Sequence, residues 1–160
     1  MDDLAFIEAD AILRPADDGL APITSAAARL DQHAGPRFAA LCRVSMPLDA
    51  GVAVVTGSGD LTAPLVVHLV LQDHGRTATG RETIQRALQS AWQRARDWNL
   101  EHVASPPIGM GPGRLSLEEA VLLLAESFPR DGSAPRTLRI VVERDEEREL
   151  ADAVLRSRRA

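Results

Sequence analysis

The residues best suited to chemistry are three glycines at alternate positions, Gly109, Gly111 and Gly113, with Met110 and Pro112 between them. They follow a short strand-like stretch, His102 to Ser105, and precede a segment that reads as a helix. Glycine has no Cβ, so backbone N–H groups at such a turn approach an anion closely, and the helix N-terminus beyond adds positive potential. A turn of this kind cradles phosphate without a lysine. It is not a P-loop, because no Lys-Ser or Lys-Thr follows, and its spacing differs from the dinucleotide fingerprint. A plain tight connection has the same composition, so the pattern alone leaves both readings open.

Other reactive residues are dispersed. His33, His68, His74 and His102 form no His-Glu-x-x-His spacing, and His68 falls in an apolar stretch that predicts a hydrogen-bonded core histidine. Ser58, Ser105 and Ser116 have no partners at a recognisable nucleophile motif. Cys42 is the one cysteine, so neither a disulfide within the chain nor a cysteine zinc site is available. It follows Ala40 and Leu41 and reads as a small buried hydrophobe. No metal and no bound cofactor is expected.

The bulk properties fit one globular domain over residues 1–160. Apolar residues make up 45% of the chain, enough for a core, and Tyr is absent, so Leu, Val, Ile and Ala must fill it. The net charge of -5 weighs against nucleic-acid binding, which needs clustered Lys and Arg. Arg156, Arg158 and Arg159 read as a solvated terminus. The acidic start, Met1 to Leu13, does not resemble a secretory signal, and no apolar run reaches the ~20 residues of a membrane span. A cytoplasmic location and no membrane partner are therefore expected.

The positioning elements follow from periodicity and breakers. Phe6 to Leu13 reads as a strand ended by Pro15. Thr24 to Ala34 reads as a helix stopped by Gly35-Pro36. Val52 to Val55 is a short β-branched run, and Leu65 to Leu71 is continuously apolar, as in a strand buried on both faces. Arg81 to Asn99 reads as a helix capped by Thr79 or Thr83, with Ile84, Ala87, Leu88, Ala91, Ala95 and Trp98 on one stripe and Trp92 off it. Ser116 caps a helix that carries Glu118 and Glu119 in its first turn. Leu138 to Val142 reads as a strand and Asp145 to Arg158 as a closing helix. Strands alternating with helices imply a layered α/β fold with a parallel or mixed sheet.

The run Val103-Ala104-Ser105-Pro106-Pro107-Ile108-Gly109-Met110-Gly111-Pro112-Gly113, with Glu118-Glu119-Ala120 beyond it, resembles the strand, second phosphate loop and helix of the macro domain family. Leu61-Thr62-Ala63-Pro64-Leu65-Val66-Val67-His68, Thr56, Asp10-Ala11-Ile12-Leu13, Asp2-Asp3-Leu4 and His33-Ala34-Gly35-Pro36 resemble further segments of that family in order. The resemblance implies a three-layer α/β/α sandwich with a mixed central sheet, and a ligand that is ADP-ribose or a related nucleotide. It implies that Asp3 hydrogen-bonds the adenine amino group and Leu4 contacts it through the backbone. It gives Gly109, Met110, Gly111, Pro112 and Gly113 the distal phosphate and ribose, and Asp17 a contact to that ribose. It names no protein partner.

The chain departs from the family at Arg14-Pro15-Ala16-Asp17, where two asparagines are replaced. It departs again at Ile23, Thr24, Ser25 and Ala26, where consecutive glycines and a valine are usual. Arg114 and Leu115 stand in place of an aromatic. Arg14 and Arg114 either supply charge to the cleft or are surface residues beside one that no longer binds. Asp17 is a candidate water-positioning base. Three readings follow: a non-catalytic nucleotide-binding module, a structural or interaction domain, and an ADP-ribosyl-ester hydrolase.

Overall fold

The computed structural model describes residues 4–72, 80–110 and 115–159. After a 3-10 turn at Leu4–Phe6, the chain runs β1 (Ala11–Asp17), α1 (Ser25–Ala34), α2 (Pro36–Leu41), β2 (Ala53–Gly57), β3 (Leu65–Gln72), α3 (Arg81–Asp97), β4 (His102–Ser105), α4 (Leu117–Ser127), β5 (Thr137–Ile140) and α5 (Asp145–Arg159). The strands form one sheet in the order β2-β3-β1-β4-β5. β1, β3, β4 and β5 are parallel, and β2 is antiparallel to β3. This is the three-layer α/β/α sandwich with a mixed sheet.

Alternation along β1 separates the two faces. Leu13, with Val67 and Leu69 of β3, packs against Ile84 and Leu88 of α3 and Leu124 of α4. Ile12, with Val66 and Ala104, packs against Leu30 and Ala34 of α1 and Phe38 of α2. β3 is covered on both faces, as its unbroken apolar run requires. Leu117 and Val121 of α4 bury Ala151 of α5 in a smaller cluster.

Several local expectations are corrected. Residues Leu4–Phe6 turn rather than extend, and β1 runs straight through Pro15 to Asp17. Proline's φ suits extended backbone, and from Leu13 to Pro15 the strand pairs with β3 alone, so one side is locally an edge that tolerates a missing donor. Gly35, at φ +83, ends α1, but Pro36 then starts the unforeseen α2, because proline is well placed in a first turn. α3 is capped by Gly80 without a side-chain bond.

The tryptophans exchange roles. Trp92 is buried at 2% exposure and donates Nε1–H to Ser127 Oγ at 2.9 Å, whereas Trp98 is 53% exposed. The helix ends at Asp97, so Trp98 leaves the stripe that helical spacing assigns it. Cys42 is half-buried, and burial pushes its thiol pKa upward.

Candidate nucleotide cleft

In a sheet ordered 2-3-1-4-5 the chain leaves β1 toward one side and returns to β4 on the other. Ligands of open α/β sheets bind beyond the carboxyl ends of strands at such a reversal. A cleft of about 840 Å³ lies there. Its walls come from the segments that follow β1, β4 and β5: Ile23 to Ala26 with Arg29 and Leu30, then Pro106, Pro107 and Met110, then Val141 to Arg144 with Glu147. Leu4 closes it from the N-terminal turn. The volume falls in the range that holds a nucleotide-sized ligand, about 300–1,000 Å³.

One wall is the start of α1. Thr24 is its N-cap, and Thr24 Oγ1 accepts from Ala27 N–H at 3.1 Å. The earlier first-turn amides have no carbonyl partner within the helix, and they carry the positive end of its dipole toward the cleft. The side chains of Ile23, Thr24 and Ser25 border the space without closing it.

The opposite wall hangs from Gly109. Its φ is +107, and a Cβ there would meet Leu115 Cδ1 at 2.5 Å and Ile84 Cδ1 at 3.1 Å. Leu115 N–H donates to Gly109 O at 3.0 Å, pinning the two ends of the glycine-rich loop together. Glycine at 109 is thus required by backbone conformation and packing. Beyond the loop, Ser116 and Glu119 form a reciprocal capping box that fixes the start of α4.

Of the residues expected at the site, Leu4 and Met110 line the cleft and Gly109 anchors its loop. Asp3, Gly111, Pro112, Gly113 and Arg114 lie outside the described residues. Asp17 is half-buried at the end of β1, and its Oδ1 accepts from Gly19 N–H and Ala21 N–H, both at 2.9 Å. Its carboxylate folds the 17–21 turn and is not among the groups lining the cleft.

Arg14 is neither a cleft cation nor a surface residue. It is 1% exposed, with Nε on Asp31 Oδ1 at 2.8 Å and Nη2 on Oδ2 at 2.7 Å. Nη1 lies 3.1 Å from His68 Nδ1, and His68 Nε2 lies 2.8 Å from Thr56 Oγ1. A guanidinium only donates, so Nδ1 accepts and Nε2 carries the proton. Thr56 then takes that proton's hydrogen bond and donates onward to Gly57 O at 2.9 Å. Burial first, and the Arg14 charge second, hold the His68 pKa down to about 3. His68 is therefore the satisfied core histidine expected of it. Asp31 is the partner that sequence reading missed, since a carboxylate on a helix carries no signal of a cation 17 residues away.

Two further cleft residues went unread. Arg29 on α1 pairs with Glu143, which follows β5, and both line the cleft. Arg144 N–H donates to Glu147 Oε1 at 3.1 Å, capping α5. Among the described residues, no three His, Cys, Asp or Glu side chains gather as a metal site needs. Among the same residues no helix is long and apolar enough to cross a membrane.

The sequence model of the Macro domain family matches residues 15–124. The chain is 30% identical over 149 residues to an uncharacterised protein of Aeropyrum pernix, covering 92% of this chain and 78% of that one. It is 27% identical over 128 residues to an uncharacterised protein of Mycobacterium tuberculosis, covering 80% of this chain but 35% of that one, so it spans about a third of that relative's length. The fold superposes on a variant of the Oceanobacillus iheyensis macrodomain with ADPR at a TM-score of 0.83 and 15% identity, covering 98% and 89% of the two chains. It also superposes on the Trypanosoma brucei macrodomain in complex with ADP at a TM-score of 0.77 and 17% identity, covering 92% and 63%.

Proposed function

The chain belongs to the macro domain family, and on that premise we propose that it is a binding module for ADP-ribose or a closely related nucleotide. The observation that carries this reading is the 840 Å³ cleft held between the start of α1 and the loop after β4, despite the side chains at Ile23, Thr24 and Ser25. The solved macrodomains that it resembles include one with ADPR and one in complex with ADP. In this chain the amides at the start of α1 face the diphosphate, and the glycine-rich loop from Gly109 to Gly113, with Arg114 after it, encloses the distal phosphate and ribose. Asp3 and Leu4 take the adenine.

The module is non-catalytic. A general base needs a carboxylate within reach of water and substrate, and both backbone amides on Asp17 Oδ1 hold that group to its own turn.

Filling the cleft tests the reading. Ala26 borders it at the start of α1 and is only partly buried. Ala26→Trp should abolish ADP-ribose binding and leave the melting temperature within a few degrees of wild type. Unchanged affinity in a folded variant would place the ligand elsewhere. Hydrolysis of an ADP-ribosyl ester that Asp17→Ala removes would contradict the non-catalytic reading.

A further inference from the structure

Among the described residues, four charged side chains line the cleft, two arginines and two glutamates, and they are not equivalent. Glu147 is committed to the end of α5, where its Oε1 accepts the Arg144 N–H. Arg144 immediately precedes that helix, with Nε 3.7 Å from Glu147. Arg29 and Glu143 come from different walls, α1 and the segment after β5, and their ion pair links the two at the cleft. Both are about half-exposed, at 54% and 52%. Leu4, Leu30 and Val141 sit on the same cleft as the pair, and Leu30 and Val141 are the neighbours of Leu4 in the underlying apolar cluster.

Among the described residues, the two arginines that line this cleft each already stand beside a carboxylate when an anionic ligand enters. We infer that Glu143 is a specificity-setting residue that competes with the ligand phosphate for Arg29, so that Arg29 clasps the cleft when empty and turns to the diphosphate when it is filled. This inference rests on the binding reading above. The exchange is feasible because the pair is solvent-exposed and therefore weak, and because a guanidinium takes phosphate with the same two-pronged geometry it offers a carboxylate. The buried Arg14–Asp31 pair cannot exchange in this way. The consequence is discrimination by charge: a neutral nucleoside gains nothing from opening the clasp.

Titration calorimetry of the wild-type chain, Glu143→Gln and Arg29→Gln, with ADP-ribose and with adenosine at two salt concentrations, tests this. Glu143→Gln should bind ADP-ribose about three- to ten-fold more tightly, the scale of one exposed ion pair and one removed repulsion, with a steeper loss on adding salt. Arg29→Gln should bind it several-fold more weakly with a shallower salt dependence. Adenosine affinity should be the same in all three. Wild-type binding that Glu143→Gln leaves unchanged or weakens overturns the clasp alone. Tighter ADP-ribose binding matched by equally tighter adenosine binding also overturns it, since charge is then not what Glu143 reads. No binding of ADP-ribose to any of the three proteins overturns the binding reading and the clasp together.

Discussion

Arg29 and Asp31 stand two residues apart on α1, and the ion pairs they make differ in almost every respect. Two residues turn a helix by about 200°, so the two side chains leave on opposite sides. Asp31 turns inward to Arg14, whose guanidinium is buried, doubly bonded to the carboxylate and stacked 5.4 Å from the Phe38 ring centroid. Arg29 turns to the cleft and meets Glu143 in solvent. The contrast shows that a charge in this fold is defined by its surroundings. The buried pair fixes how β1, β3 and α1 sit together, and breaking it strands a charge. The exposed pair contributes little to the fold and is free to change partners.

The largest expected effect lies in the buried pair. Asp31→Ala leaves the Arg14 charge without its carboxylate and should destabilise the fold by about 3–5 kcal/mol. At roughly 2–4 °C per kcal/mol for a domain of this size, thermal unfolding should show a fall of ten degrees or so. A shift below two degrees would mean that solvent reaches Arg14 and replaces Asp31.

Acid tests the same network from its other end. The folded pKa of His68, about 3, lies below the value of an unfolded histidine, about 6.5. The unfolded chain therefore binds the extra proton first as pH falls. His68's contribution is fully present above pH 6.5 and is lost as pH drops from there toward 3, at up to about 1.4 kcal/mol per pH unit. Denaturant melts between pH 6.5 and 5, above the carboxylate range, should show this slope, and His68→Leu should flatten it. Equal stability at pH 6.5 and pH 5 in the wild type would contradict the buried neutral histidine.

At the cleft, Gly109→Ala forces a side chain onto Leu115 and a positive φ onto alanine. It should cost about 1–3 kcal/mol and weaken nucleotide binding by displacing the loop. Unchanged melting and affinity would show that the loop relaxes freely. Smallest of all, Arg29→Gln should change stability by no more than about 0.5 kcal/mol, in contrast to Asp31→Ala on the same helix. A loss comparable to that of Asp31→Ala would erase the distinction between the two pairs.

Much of the frame was legible in the residues. The unbroken run at β3, the β-branched stretch at β2 and the Ser116 cap each carry a local physical cause, and local causes survive without tertiary context. The departures arise where distant residues decide. Pro15 reads as a terminator, yet the one-sided pairing of β1 from Leu13 to Pro15 accommodates it. Arg14 reads as either a charge for the cleft or a surface residue, because nothing in its vicinity announces Asp31 and His68. At the site, Gly109 and Leu4 were legible through ordered family resemblance. Arg29 and Glu143 were not, because single charges on a helix and after a strand look like any solvated surface until the fold sets them face to face.

The most direct test of the account is a calorimetric titration of the wild-type chain with ADP-ribose, with ADP and AMP as controls. The account predicts saturable one-to-one binding of ADP-ribose, weaker binding of ADP and the weakest of AMP, as successive contacts to the distal ribose and phosphate are removed. No heat with any of the three would contradict it and leave the cleft as part of a structural or interaction domain.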